Sequence, residues 1–187
     1  RGMMMRKTAI IAWAVAATAM VSLRATADPA TPEEVIRSTS VKVIEDLADK
    51  SKTTEQKKTI LDGYLDTCCD FVTISKLVMA KNWKSLKEPQ QAEFIGLFRK
   101  YLVATYGDNI ENYAGETVEV LSGRKEARDD YSVMTKIARG GGQADLLVDY
   151  RLRKAEDGEW QIIDVIAEGI SMVSNLRSQF QEVITRE

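Results

Sequence analysis

Between Thr31 and Ala114 apolar residues recur every three or four positions, between Glu116 and Gly169 they alternate, and after Ser171 the helical spacing returns. The first helical stretch opens on Thr31-Pro32-Glu33-Glu34. It offers an N-cap, a proline at the first helical position and a glutamate at the third, which is a capping box. Ile36, Val43, Ile44 and Leu47 follow on one face. Thr53 and Gln56 form a second box, ahead of Ile60, Leu61, Tyr64, Leu65 and Cys68. A shorter helix carries Phe71, Ile74, Leu77 and Val78. The longest, from Glu88 with Pro89 near its start, presents Phe94, Leu97, Phe98, Tyr101, Leu102 and Tyr106, a wide aromatic stripe fit to fill a core or to line a cavity.

The alternating region predicts four strands, ETVEVLSG, YSVMTKIAR, QADLLVDYRLRKA and EWQIIDVIAEG. Asp157-Gly158 marks a tight hairpin turn, and the three glycines at 140–142 read as a flexible strand-to-strand loop rather than a phosphate cradle. In the third strand Val148, Tyr150 and Leu152 point one way, while Asp149, Arg151 and Arg153 point the other. In the fourth, Ile163, Val165 and Ala167 oppose Trp160, Ile162, Asp164 and Ile166. A last helix carries Met172, Val173, Leu176, Phe180, Val183 and Ile184. The order predicts an α+β fold: N-terminal helices wrap a curled, mostly antiparallel four-stranded sheet, a C-terminal helix closes it, and the resulting cone holds an apolar cavity.

The first 27 residues stand apart from this domain. A basic start, an apolar run of 16 residues from Thr8 to Leu23, and Ala25-Thr26-Ala27 have the order of a secretory signal peptide. The rival reading, an uncleaved membrane anchor, needs a span nearer ~20 residues. Cleavage before Asp28 leaves residues 28–187 as a single domain in the bacterial periplasm. It removes four basic residues and no acids, leaving 22 Lys and Arg against 28 Asp and Glu, a net charge of −6. Such a surface exerts no bulk pull on nucleic acid or an anionic bilayer.

Chemistry narrows the reading further. The chain has no histidine, which excludes a Ser-His-Asp triad, a Cys-His pair and histidine-based metal sites. Asp164 and Glu168 share a strand face but are ~13 Å apart, beyond the ~5–9.5 Å of a glycosidase carboxylate pair. No metal-ligand spacing or nucleotide fingerprint occurs, so neither a metal nor another cofactor is expected. The two cysteines, Cys68 and Cys69, are adjacent. A bridge between them would be strained, and two small buried apolar side chains at a helix end is the preferred reading.

Two segments carry a resemblance. VDYRLRK, followed by EWQIIDVIAEGISMVSNLRSQF, resembles the signature of the MlaC family, also called toluene-tolerance or ABC-transporter auxiliary components. The matching positions are Tyr150–Lys154, Trp160–Gly169, Ser171 and Arg177–Phe180. DFVTISKLVMAKNWK and FRKYLVATYGDNIENYAGETVEVL resemble its middle region, so the likeness runs from about residue 32 to 184. The chain departs from the family at Cys68-Cys69, and at Glu187, where members often add a short closing segment.

The resemblance implies a nuclear-transport-factor-like cone that is not an enzyme: a periplasmic carrier with phospholipid acyl chains in the cavity. It would shuttle between an outer-membrane lipoprotein complex and an inner-membrane ABC transporter complex with its substrate-binding domain protein. A hopanoid-associated subgroup has a similar signature, and a cavity-bearing enzyme of the ketosteroid-isomerase type is the alternative from another class. The inward faces place Phe98, Leu102, Tyr106, Val118, Val120, Val133, Val148, Tyr150, Leu152, Ile163, Val165, Val173 and Leu176 in the expected wall. Arg151, Arg153 and Lys154, with Arg177 on the last helix, are expected to point outward toward headgroups or an acidic partner.

Overall fold

The two capping boxes start the first two helices. Thr31 Oγ1 accepts the Glu34 N–H at 3.3 Å while the Glu34 carboxylate accepts the Thr31 N–H at 2.8 Å, and α1 runs Pro32–Ala48. Thr53 and Gln56 repeat the exchange ahead of α2, Thr54–Cys68. The Asp70 carboxylate accepts the Thr73 N–H at 2.8 Å and starts α3, Phe71–Met79. A 3-10 segment, Ala80–Ser85, turns the chain into α4, Glu88–Gly107. These elements come from a computed structural model that describes residues 30–107, 116–139 and 142–186, without the side chain of Tyr106. The expected leader at 1–27, the predicted helix beyond Gly107, and Gly140 and Gly141 lie outside the described residues.

The four predicted strands form β1 (Thr117–Lys125), β2 (Tyr131–Ala138), β3 (Leu146–Lys154) and β4 (Trp160–Ala167), and a two-residue β5 (Ile170–Ser171) follows. They lie in sequential order and every pairing is antiparallel, in a sheet that does not close. The Asp157-Gly158 turn forms as predicted, with Gly158 at φ 90° and the Ala155 N–H donating to the Glu159 carbonyl at 2.8 Å.

Two bulges interrupt the alternation. One falls between Val120 and Ser122. In the other, Arg151 pairs with Asp164 but Leu152 pairs with Ile162, so Ile163 is the extra residue. This corrects the expectation for the fourth strand. The bulge switches its phase, and Ile162 joins Val165 on the helix-facing side. α1 lies across that side and is tied there by the Tyr131 hydroxyl, which donates to the Glu33 carboxylate at 2.6 Å. Gly123 makes the approach possible, since a Cβ there would collide with the Glu33 carboxylate and the Tyr131 ring.

The last helix, α5 (Met172–Arg186), hangs from one carboxylate. Asp164, 4% exposed, accepts the Val165 N–H at 2.9 Å, the Val173 N–H at 3.0 Å and the Ser171 hydroxyl at 2.6 Å. Ser171 Oγ accepts the Ser174 N–H in turn, and caps the helix. Just before it, Glu168 sits at φ 48° and Gly169 at φ 77°. Glu168 holds that turn against Leu147 through both its backbone N–H and its carboxylate.

Two cores result. Ile36, Val133, Leu152 and Ile162 are buried between α1 and the sheet. Phe71, Ile74, Val78, Phe98, Leu102, Val173 and Leu176 are buried among α3, α4 and α5. Large side chains buried this fully contribute ~1.5–3 kcal/mol each. Among the described residues no helix is long and apolar enough to cross a membrane.

Candidate functional site

The sheet-side core is hollow. A cavity of about 260 Å³ lies between α1, α2 and the sheet. α1 contributes Ile36, Thr39, Ser40, Val43 and Ile44, and α2 contributes Leu61, Tyr64, Leu65 and Cys68. Cys69 and the strand residues Val118, Ile137, Tyr150, Ile162 and Val165 complete the wall. No ionisable carboxylate or cation lies among these residues.

The two helices over the cavity are fixed by polar ties. The Tyr64 hydroxyl donates to Asp46 Oδ2 at 2.6 Å and binds α2 to α1. That bond to a carboxylate pushes the Tyr64 phenol up to about 12 and holds the Asp46 carboxyl below its usual range. Tyr64 therefore faces the cavity as a protonated phenol with its hydrogen already committed, not as a base. Arg99 of α4 grips α2: its Nε donates to Asp62 Oδ1 at 2.6 Å, and its terminal nitrogens reach the Asp62 carbonyl and the Asp66 carboxylate.

The structure distributes the residues expected in the wall among several places. Val118, Tyr150 and Val165 line the cavity. Val133 and Leu152 are fully buried in the adjoining core, with Val120 packed against it, and Val148 is buried on the same strand face. Ile163 occupies the bulge, buried but not in the wall. Leu102, Val173 and Leu176 belong to the helix-side core instead, and Phe98 borders a separate outer groove from within it. The side chain of Tyr106 lies outside the description. The missed wall residues are those of α1 and α2, with Cys69, Ile137 and Ile162. Their apolar spacing was visible, but nothing in a stripe tells a cavity roof from a packed core.

The arginines are less free than alternation implies. Arg153 forms a bidentate pair with Asp130 at 2.6 and 2.9 Å, and Arg177 Nε donates to the Leu77 carbonyl at 2.7 Å, tying α5 to α3. Arg151 is half-buried, and its buried Nε has no hydrogen-bond partner among the described residues. Lys154 is exposed and lies over the Trp160 ring, 5.3 Å from its centroid.

Two other depressions differ in character. The outer groove between α4 and α5, about 380 Å³, is bordered by Phe94, Leu97, Tyr101, Phe180 and Val183. A polar cleft of about 690 Å³ near Thr31, Asp130 and Trp160 is crossed by the Arg153–Asp130 pair. Unlike these two, the hollow under α1 and α2 combines an apolar wall from both layers with the interior of the sheet.

An open antiparallel sheet roofed by helices over an apolar hollow defines a cavity-bearing binding fold. The family pattern described as MlaC protein matches residues 37–187, and the chain belongs to that family. It is 20% identical over 112 residues to the intermembrane phospholipid transport system binding protein MlaC of Haemophilus influenzae, covering 59% of this chain and 52% of that protein. The match thus spans about half of that relative's length. It is 27% identical over 161 residues to the toluene tolerance protein ttg2D of Pseudomonas putida, covering 83% of this chain and 74% of the relative. In structure it is similar to a phospholipid-binding protein of Ralstonia solanacearum solved in complex with a phospholipid. The TM-score is 0.73 at 20% identity, over 84% of this chain and 89% of the other.

Proposed function

We propose that this protein is a periplasmic lipid carrier that buries phospholipid acyl chains in the hollow between α1, α2 and the sheet. The observation that carries the reading is that cavity, with its uncharged wall, in a member of the MlaC family. An acyl chain gains ~0.8 kcal/mol per methylene removed from water, so a carrier needs a dry container and no reactive group to move one. The name of the Haemophilus relative and the phospholipid in the Ralstonia protein support the same cargo.

The wall proposed for the chains is centred on Val118, Tyr150 and Val165, roofed by Val43, Ile44 and Leu65. At about 260 Å³ the hollow lies just below the usual range of ligand pockets, ~300–1,000 Å³. Taking up a full phospholipid therefore involves parting α1 and α2 from the sheet. Export with cleavage before Asp28, and shuttling between an outer-membrane lipoprotein complex and an inner-membrane ABC transporter complex, complete the proposal. Arg151, half-buried on β3, is the cation proposed to meet an acidic partner or a headgroup through the exposed part of its guanidinium. The deciding experiment is solvent extraction of the exported protein followed by mass spectrometry. Phospholipid near one per protein is expected; protein recovered free of any lipid overturns the reading.

A further inference from the structure

The cavity wall holds a feature that carrying an acyl chain does not use. Cys68 is the last residue of α2, and Cys69 caps it in an extended conformation, φ −115° and ψ 136°. The change of backbone direction between them brings both residues into the wall of one hollow. Both thiols are free, and their sulfurs lie 3.8 Å apart. We propose that the Cys68–Cys69 dithiol is a reaction site for hydroperoxides borne on the acyl chains of bound lipid, reducing each to an alcohol and closing to a disulfide. This rests on the lipid-carrier reading and adds a chemical activity to it.

The argument starts from where such a peroxide is. Oxidation of an unsaturated chain places the hydroperoxide along the tail, so burying the tail delivers it to the wall. The other polar side chains there are Thr39, Ser40, Tyr64 and Tyr150, and hydroxyls at neutral pH do not reduce a peroxide. A thiol does, through its thiolate. Cys68 is the easier of the two to ionise, because the Cys69 thiol hydrogen-bonds to it. Cys69 is raised well above the usual range by the same bond and by burial.

The step balances within the site. The Cys68 sulfur attacks the terminal peroxide oxygen. The O–O bond breaks, and the departing alkoxide takes the Cys68 proton to become an alcohol, leaving Cys68 as a sulfenic acid. The Cys69 sulfur then attacks the Cys68 sulfur. An S–S bond forms, the S–O bond breaks, and hydroxide leaves with the Cys69 proton as water. One hydroperoxide gains two electrons and two thiols lose them. Neighbouring Cα atoms are ~3.8 Å apart, inside the ~4.4 Å lower limit of ordinary disulfides, so the ring is strained and easily reopened by an external thiol. Cys69 also bridges to Ile162, and the Asp70 N–H donates to the Ile162 carbonyl at 3.0 Å, so closure pulls on the cavity wall itself.

The test uses reduced full-length protein in three arms: a hydroperoxide of a polyunsaturated phosphatidylcholine, the same lipid unoxidised, and hydrogen peroxide at equal concentration. Bound lipid is extracted from every sample. The peroxidised lipid should consume both thiols, remove the mass of two hydrogens and release one equivalent of hydroxy-lipid. It should do so at least ~10-fold faster than hydrogen peroxide, because binding fixes the reactants together. Cys69→Ser should stop at a sulfenic acid trapped by dimedone. Cys68→Ser, and wild-type protein with both thiols alkylated beforehand, should form no hydroxy-lipid. Intact thiols in protein shown to hold the peroxidised lipid, or equal rates with the two peroxides, overturn this proposal alone. Protein that takes up neither lipid overturns the carrier reading and this proposal with it.

Discussion

The helix side and the sheet side of this molecule use the same apolar periodicity and end differently. Among α3, α4 and α5 the stripes meet as rings. Phe94 and Phe98 stack at 5.6 Å, Phe180 meets both edge-on at 5.7 and 5.9 Å, and Phe71 meets Phe98 at 6.3 Å. Between α1, α2 and the sheet no ring cluster forms, and short side chains interrupt the aliphatic ones. Thr39 and Ser40 sit between Ile36 and Val43, α2 ends in cysteine, and a hollow of about 260 Å³ is left over Tyr150 and Val165. Spacing decides which way a side chain points; the sizes of the side chains that meet decide whether the space between them is filled.

The sharpest way to break the contrast is Phe98→Ala. Phe98 is 2% exposed and central to the ring cluster, so the substitution should cost ~3–5 kcal/mol in urea unfolding. A loss under ~1 kcal/mol would mean that the helix side is as loosely filled as the sheet side. Asp164→Ala should cost ~2 kcal/mol, since it frees the capping Ser171 hydroxyl and leaves the buried Val173 N–H without an acceptor. Faster hydrogen exchange in α5 than in the strands would be its signature.

Ser40→Leu acts in the opposite sense. It fills the hollow, and should hold stability or raise it by ~1 kcal/mol while reducing co-purified phospholipid several-fold. Unchanged lipid together with lost stability would place the cargo elsewhere.

A smaller effect concerns the tie across the roof. Tyr64 is pushed up to about 12, above the ordinary tyrosine value of 10.0, so the unfolded chain gives up this proton first. Stability from this bond is whole below about pH 10 and is lost as pH rises toward about 12. Tyr64→Phe should remove that part of the alkaline decline, followed as denaturation midpoint against pH. The smallest effect expected is Arg151→Glu, which should slow docking to the proposed membrane complexes and flatten its dependence on ionic strength, with bound lipid unchanged. Identical docking kinetics across salt concentrations would show that Arg151 serves only the sheet.

The fold was legible because its signals are local. Both capping boxes, the Asp157-Gly158 turn and the alternation in β3 dictate their elements from a few neighbouring residues. The site was legible only in part, for two physical reasons. The bulge at Ile163 is set by pairing with β3, which no pattern within β4 reveals, and it moved Ile162 into the wall. The assignment of Leu102, Val173 and Leu176 to the helix-side core depends on which helices meet, which periodicity does not specify. The Asp164, Glu168 and Gly169 positions of the signature segment proved to hold a turn and a helix end, a role invisible without the hydrogen bonds they make.

The suspension of α5 has a consequence for the order in which the chain assembles. The sheet is a meander whose neighbours in space are neighbours in sequence, so its hairpins can form as soon as they exist. The helix-side core cannot. It joins Arg177 to Leu77 across 100 positions and Asn82 to Gln181 across 99. Phe98, Leu102, Val78 and Ile74 stay without their last neighbours until Val173 and Leu176 arrive. That core thus waits for α5, and a chain emerging from its N-terminal end keeps it open until Val173 and Leu176 have been delivered.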